Sequence, residues 1–189
     1  MRRSRPGAAL VVVVLAVACV SCAEQRQSLR PASTPAVVTT VLGGTDAAWT
    51  QLMIPMTAQV ITLLELTTTR ARNAELAMLA TQLDTDYRTD LLRLRTLLAR
   101  AGLTPTNEHD GHDLPGMITA ADLTVIGVRT GADFDALVVA NLREEMEQSI
   151  RLARSEQQAG QNAECKAIAA AIEKTRAISL NRLNAVIGP

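Results

Sequence analysis

Aromatic side chains are nearly missing from this chain, whose 189 residues hold one Trp, one Tyr and one Phe. Stacking platforms for bases or sugar rings cannot be assembled from so few rings. Histidine is almost as scarce, with two residues, which leaves few groups suited to acid–base chemistry near neutral pH. Net charge is absent as well, 19 Lys and Arg facing 19 Asp and Glu, so the basic footprint of a nucleic-acid-binding protein is not there. The longest apolar run, Ala8–Ala18, has eleven residues and falls well short of the roughly 20 that a membrane-spanning helix needs. No Gly-x-Ser-x-Gly elbow or phosphate-cradling glycine loop occurs, and a chain of this length suits one globular core.

The amino terminus reads as a targeting segment. Arg2, Arg3 and Arg5 form a positive region ahead of the apolar run. Leu15-Ala16-Val17-Ala18-Cys19 resembles the bacterial lipobox, whose cysteine is acylated and becomes the new amino terminus, so residues 1–18 are expected to be a lipoprotein signal peptide. Cys22 is the alternative acceptor, and plain secretion after Val17-Ala18 is the alternative route. Either way the mature chain is expected outside the cytoplasm, lipid-anchored to the cell membrane or secreted. Removing three arginines from 19 basic residues leaves 16 against 19 acidic ones, a mildly acidic domain with no polybasic patch for lipid. Residues 19–44, rich in Gln, Ser, Thr, Pro and Gly, read as a flexible tether.

From residue 45 to residue 189 the pattern is helical. Leu52, Met56, Val60, Leu63 and Leu66 form one stripe, and Leu76, Leu79, Leu83, Tyr87, Leu91, Leu94 and Leu98 a second, ending at Gly102. Pro105, Asn107, Gly111, Pro115 and Gly116 break the segment from 103 to 133 into a crossover. Within it, Thr119 to Asp122 reads as a capping box opening a short helix to about Val128, with Gly131 as a stop. Two further helices, 133–158 and 162–187, carry seams through Phe134, Val138, Leu142, Met146, Ser149 and Leu152, then Cys165, Ile168, Ile172, Ser179 and Leu183. Cys165 on such a seam reads as a small core residue.

An internal repeat organises these elements. A shift of 89 residues aligns 46–98 with 135–187 without a gap and with 12 of 53 positions identical, among them Asp46/Asp135, Gln59/Gln148, Arg93/Arg182 and the triplet Asn73-Ala74-Glu75/Asn162-Ala163-Glu164. One hairpin cannot bury its apolar face alone. The expected fold is therefore all-α, a ferritin-like four-helix bundle of two duplicated hairpins, joined by a long crossover that contains a short helix.

Met53-Ile54-Pro55, the linker His112-Asp113-Leu114-Pro115-Gly116-Met117 and Phe134-Asp135 together resemble the bacterial "domain of unknown function 305" family. That family is a set of exported, duplicated, ferritin-like four-helix proteins in which each repeat carries a Met-Ile-x-His-His core. The resemblance implies the same fold for residues 46–187, and metal binding, copper in particular, for members that keep their histidine pairs. This chain has Met56-Thr57 and Glu145-Met146 at those places. Met53, Met56, Glu145 and Met146 are thus one candidate ligand group, thioethers suiting Cu(I) and a carboxylate harder ions. His109, His112 and Asp113, with Met117 following, are a second, suited to copper or zinc. Helical Glu-x-x-His motifs for di-iron chemistry are missing, and Asp84, Asp86, Glu144, Arg88, Arg93, Arg95 and Arg100, with Asp90 among them, read as solvated faces. The expectation is a non-enzymatic envelope lipoprotein, its partners the membrane and an unknown envelope protein or metal ion and not nucleic acid, with copper or zinc handling as the alternative.

Overall fold

The computed structural model describes residues 41–106 and 114–187. Its elements, in chain order, are α1 (Gly44–Arg70), α2 (Ala74–Arg100), the short α3 (Ala120–Gly127), α4 (Gly131–Ala159) and α5 (Ala163–Ile187). The sequence expectation of an all-α bundle holds. Each long helix has 25 to 29 residues, so the bundle is about 40 Å long at 1.5 Å per residue.

Neighbouring helices are α1 with α2, α4 with α5, α1 with α4 and α2 with α5, so α1 faces α5, and α2 faces α4, across the diagonals. The core is continuous through all four and is built of Leu, Ile, Val and Met, with Trp49, Tyr87 and Phe134 on three different helices. Crossing from the end of α2 to the start of α4 requires a segment that runs the length of the bundle. Leu114–Met117 in that crossover forms a type II turn, with Met117 N–H donating to the Leu114 carbonyl at 2.9 Å and Gly116 at φ +79°. A Cβ on Gly116 would lie 2.5 Å from Gln148 Cβ, so glycine is needed twice there, for the turn and for close packing on α4. Thr119 and Asp122 make the expected capping box on α3. Arg70 then ties α3 to α1, donating to the carbonyls of Gly127 and Arg129 at 2.9 and 2.8 Å while lying 4.9 Å from the Phe134 ring centre.

The short helix ends within a residue of the expected Val128, but the role of Gly131 differs from the sequence expectation. Gly131 does not stop α3; it opens α4, with φ +62°, because α3 already ends at Gly127 and the chain must reverse before the next helix.

The two halves close each other's turns. Asp135, in the first turns of α4, accepts from the backbone N–H groups of Arg72 and Asn73 at 3.0 and 2.8 Å, in the turn between α1 and α2. Asp46, its repeat partner on α1, accepts from Gln161 and Asn162 N–H at 3.0 and 2.9 Å, in the turn between α4 and α5, and from Gly43 N–H at 3.0 Å. Asn73 and Asn162 cap α2 and α5 in the same way, each side-chain oxygen taking two N–H groups. The repeated Asp and Asn-Ala-Glu signatures are therefore junctions between hairpins. These contacts also set α1 antiparallel to α4.

Asp135→Ala leaves two turn N–H groups without their charged acceptor and is expected to cost about 1–3 kcal/mol. Urea unfolding of the variant beside the parent measures it, and an unchanged midpoint would remove the junction role.

Candidate functional site

The repeat puts Met56 and Glu145 at equivalent places in the two halves, and likewise Tyr87 and Arg176. All four are buried, and together they mark the middle of the bundle. Tyr87 reaches across the diagonal from α2 and donates its hydroxyl to Glu145 Oε2 on α4. Ser149, one turn further along α4, donates to Glu145 Oε1 at 2.6 Å. Arg176 on α5 is fully buried, and its guanidinium carbon lies 3.3 Å from the centre of the Tyr87 ring. Its Nη2 is 3.0 Å from Asp90 Oδ2 on α2, in ionic contact although the N–H does not point along the line of a hydrogen bond. Arg93 adds a weaker contact to Asp90 at 3.9 Å.

The electrostatics follow from this arrangement. Burial pushes the Glu145 and Asp90 carboxyls above their ordinary range, even though the Arg176 guanidinium pulls both down. Burial also raises the Tyr87 hydroxyl well above its usual value, so the ring stays neutral and acts as a donor. Two carboxyls thus face one fixed cation, and the layer retains protons more readily than exposed acids would. Both Glu145 oxygens are occupied and the cation comes from the protein itself.

Of the residues proposed from sequence, Met53, Met56 and Met146 are buried in this same core, and Glu145 is buried in the network just described. Met117 is buried behind the Pro115-Gly116 turn. His109, His112 and Asp113 lie outside the described residues, as do Cys19 and Cys22. Asp90 is 4% exposed and not part of a solvated face: it turns inward to meet Arg176. Arg176, Asp90, Tyr87 and Ser149 are the residues that the sequence reading did not place in the site, Tyr87 and Ser149 having been read only as seam positions. A signal for Arg176 exists, since Ile172, Arg176, Ser179 and Leu183 step by four, three and four along one seam.

The match to known proteins follows that geometry. A family model described as a domain of unknown function, DUF305, covers residues 46–187. The chain belongs to the DUF305 family. Solved structures similar to this DUF305 chain include a fragment from Deinococcus radiodurans, with TM-score 0.72 and 15% identity over 78% of this chain and 98% of that one. A Streptomyces coelicolor DUF305 protein described as secreted matches with TM-score 0.68 and 15% identity, over 75% and 91% of the two chains. CopM in its Cu(II)-bound form matches with TM-score 0.63 and 15% identity, over 73% and 92%. These likenesses establish the fold. Among curated protein sequences none matches this one.

Replacing Arg176 strands two buried acids, whereas neutralising Glu145 does not. Arg176→Met is therefore expected to cost about 3–5 kcal/mol at neutral pH. A carboxyl whose pKa is higher in the fold than in the open chain binds its proton more tightly when folded. Its stabilising contribution is fully present below the ordinary carboxylate range and is lost as pH rises through the raised value. Glu145→Gln should thus be well tolerated at neutral pH and flatten the fall in stability as pH rises above the ordinary carboxylate range. Denaturation series at several pH values measure both, and a pH slope unchanged by Glu145→Gln would show that folding does not raise the Glu145 carboxyl.

Proposed function

We propose that this DUF305 chain is an exported, non-catalytic binding module held on the outer face of the cell membrane through lipidated Cys19, with Cys22 the alternative acceptor. The observation that carries the non-catalytic part is the self-neutralised centre of the bundle. Where the family resemblance leads one to look for histidine pairs, Glu145 is already engaged by Tyr87 and Ser149 and faced by Arg176, so no base or nucleophile is left poised there. The export part is supported by the charged-then-apolar start of the sequence and by the Streptomyces coelicolor relative described as secreted. The anchor rests on Leu15-Ala16-Val17-Ala18-Cys19. A module of this kind meets its partner, an envelope protein or a metal ion, through its bundle surface, its crossover or its ends.

Fractionation of cells expressing the full chain tests the anchor. Cys19→Ala is expected to move the protein from the membrane to the soluble extracytoplasmic fraction. Retention in the double variant Cys19→Ala/Cys22→Ala would overturn lipid anchoring, and a parent protein already soluble would favour plain secretion.

Copper or zinc handling is the second reading. It draws on the likeness to CopM, crystallised in Cu(II)-bound and Ag-bound forms, and on the pairing of a Met-rich core with His109 and His112. Imidazoles spaced as His-x-x-His with Asp113 beside them suit Cu(II) or Zn. In calorimetric titration with Cu(II), His109→Ala/His112→Ala is expected to weaken binding at least tenfold, and equal binding by parent and variant would remove the loop from this reading.

A further inference from the structure

The two ends of the bundle are built on the same junction but do not carry the same chemistry. At one end Asp135 closes the α1–α2 turn amid Thr67, Leu76 and Val139. At the other, Asp46 closes the α4–α5 turn, and the positions equivalent to those three hold Glu156, Cys165 and Thr50. Closing the turn needs only the aspartate, as the first end demonstrates. The acid and the thiol at the second end are additions that the fold did not require, whereas a buried threonine hydroxyl occurs at both ends.

Asp46, Glu156 and Cys165 are all buried, and one ligand atom from each lies within 4.8 Å of the others. Glu156 is 1% exposed, and its carboxylate oxygens face only the other members of the cluster, the Cys165 thiol and the Asp46 carboxylate, without a well-formed hydrogen bond. Burying a carboxyl in that state is costly and calls for a partner. The backbone is shaped around it as well. Gly160 stands where the other half has Ala71, and a Cβ there would collide with the Glu156 carboxylate and sit 2.6 Å from its carbonyl oxygen. Asp46 Oδ1 takes two backbone N–H groups and Oδ2 only one, so the carboxylate keeps acceptor capacity toward Glu156. Thr50 spends its hydroxyl on the Asp46 carbonyl at 2.7 Å and touches Cys165 Sγ at 3.6 Å. A solvent-open groove of about 470 Å³ adjoins the cluster, lined by Glu156 with Gly44, Trp49, Leu52 and Leu152, and the covered carboxylate must move for an ion to enter.

We propose that Asp46, Glu156 and Cys165 form a binding site for a borderline divalent cation of the zinc class, entered from the groove beside Trp49. This proposal is independent of the membrane-module reading and of the His109/His112 loop. The mixed donor set selects the ion. One thiolate disfavours calcium and magnesium, which take oxygen alone, and two carboxylates disfavour Cu(I), which prefers thiolates and thioethers. Zinc accepts all three donors and keeps a fourth position for water from the groove. Tetrahedral zinc, at about 2.0 Å to oxygen and 2.3 Å to sulfur, wants donors roughly 3.5 Å apart. Glu156, held by no well-formed hydrogen bond outside the cluster, is the donor that closes that gap.

Protonation follows. Without a cation, burial pushes the Glu156 carboxyl above its ordinary range and the Cys165 thiol up to about 12. Binding the ion as thiolate and carboxylates therefore expels the Cys165 proton, and that of Glu156 wherever it is still held, into solvent. Affinity should rise with pH, by close to tenfold per unit where one proton is released.

The test uses the full chain, stripped with a chelator and titrated with zinc chloride. Trp49 is the sole tryptophan and lines the groove, so its fluorescence reports occupancy directly. One equivalent should bind with proton release, and Co(II) in its place should give a thiolate-to-cobalt charge-transfer band in the near ultraviolet. Glu156→Gln removes a stranded acid and should fold normally while binding zinc at least 100-fold more weakly; Cys165→Ser should abolish the cobalt band. His109→Ala/His112→Ala should leave zinc binding at this site unchanged. No zinc binding tighter than about 100 μM, or parent-like binding by Glu156→Gln, would overturn the site and leave Glu156 as a protonated acid against Asp46.

Discussion

A full positive charge in the middle of an apolar bundle constrains everything packed around it. Arg176 is the largest fully buried side chain among the described residues. An isolated cation in such a place is not tolerated, so partners must come from other helices. Asp90 and Tyr87 come from α2 and Glu145 from α4, with Ser149 holding Glu145 from behind. Three helices are thereby held in register by groups that have no alternative position. Leucine seams alone permit many registers; a buried ionic layer tolerates few.

Around that centre the duplicated frame does ordinary structural work. Asp46 and Asp135 each begin one hairpin and close the turn of the other, so the hairpins are interlocked at both ends. The Asn73 and Asn162 caps fix the helix starts at those same turns. Symmetry explains why these few identities persist in a repeat that has otherwise diverged. It also supplies an internal control: a polar group found at one end but not at the other is unnecessary for the fold.

Much of the architecture was legible in the sequence, because helical periodicity and the repeat both report backbone geometry. Stripes such as Leu76 to Leu98 need only the 3.6-residue period to be read. The centre was less legible. Arg176 lies on a seam between Ile172 and Ser179, but arginine is so commonly exposed that a seam containing it reads as interrupted. Asp90, between Asp86 and Arg93, reads as one more surface charge, and only a distant partner on α5 reveals its inward turn. Glu156 was hidden for the same reason, since its neighbours Ser155 and Gln157 belong to a polar stretch. The repeat held the missing clue: Tyr87 pairs with Arg176, and Thr67 with Glu156, at the two places where like positions carry unlike chemistry.

Those two places pose one physical problem and answer it differently. In the centre, Glu145 and Asp90 are buried, and an arginine in the same chain supplies one permanent positive charge to the pair. At the Asp46 end, Glu156 and Asp46 are equally enclosed, but no Lys or Arg side chain forms an ion pair with either among the described residues. That end also adjoins a solvent-open groove, and its Glu156 is held by no well-formed hydrogen bond, whereas both Glu145 oxygens in the centre are engaged. A site that supplies its own cation gains rigidity and gives up exchange. One that leaves its acids unneutralised beside an opening keeps a place for a cation from outside. The distribution of charge within one small fold thus separates the part that holds the bundle together from the part that remains able to bind.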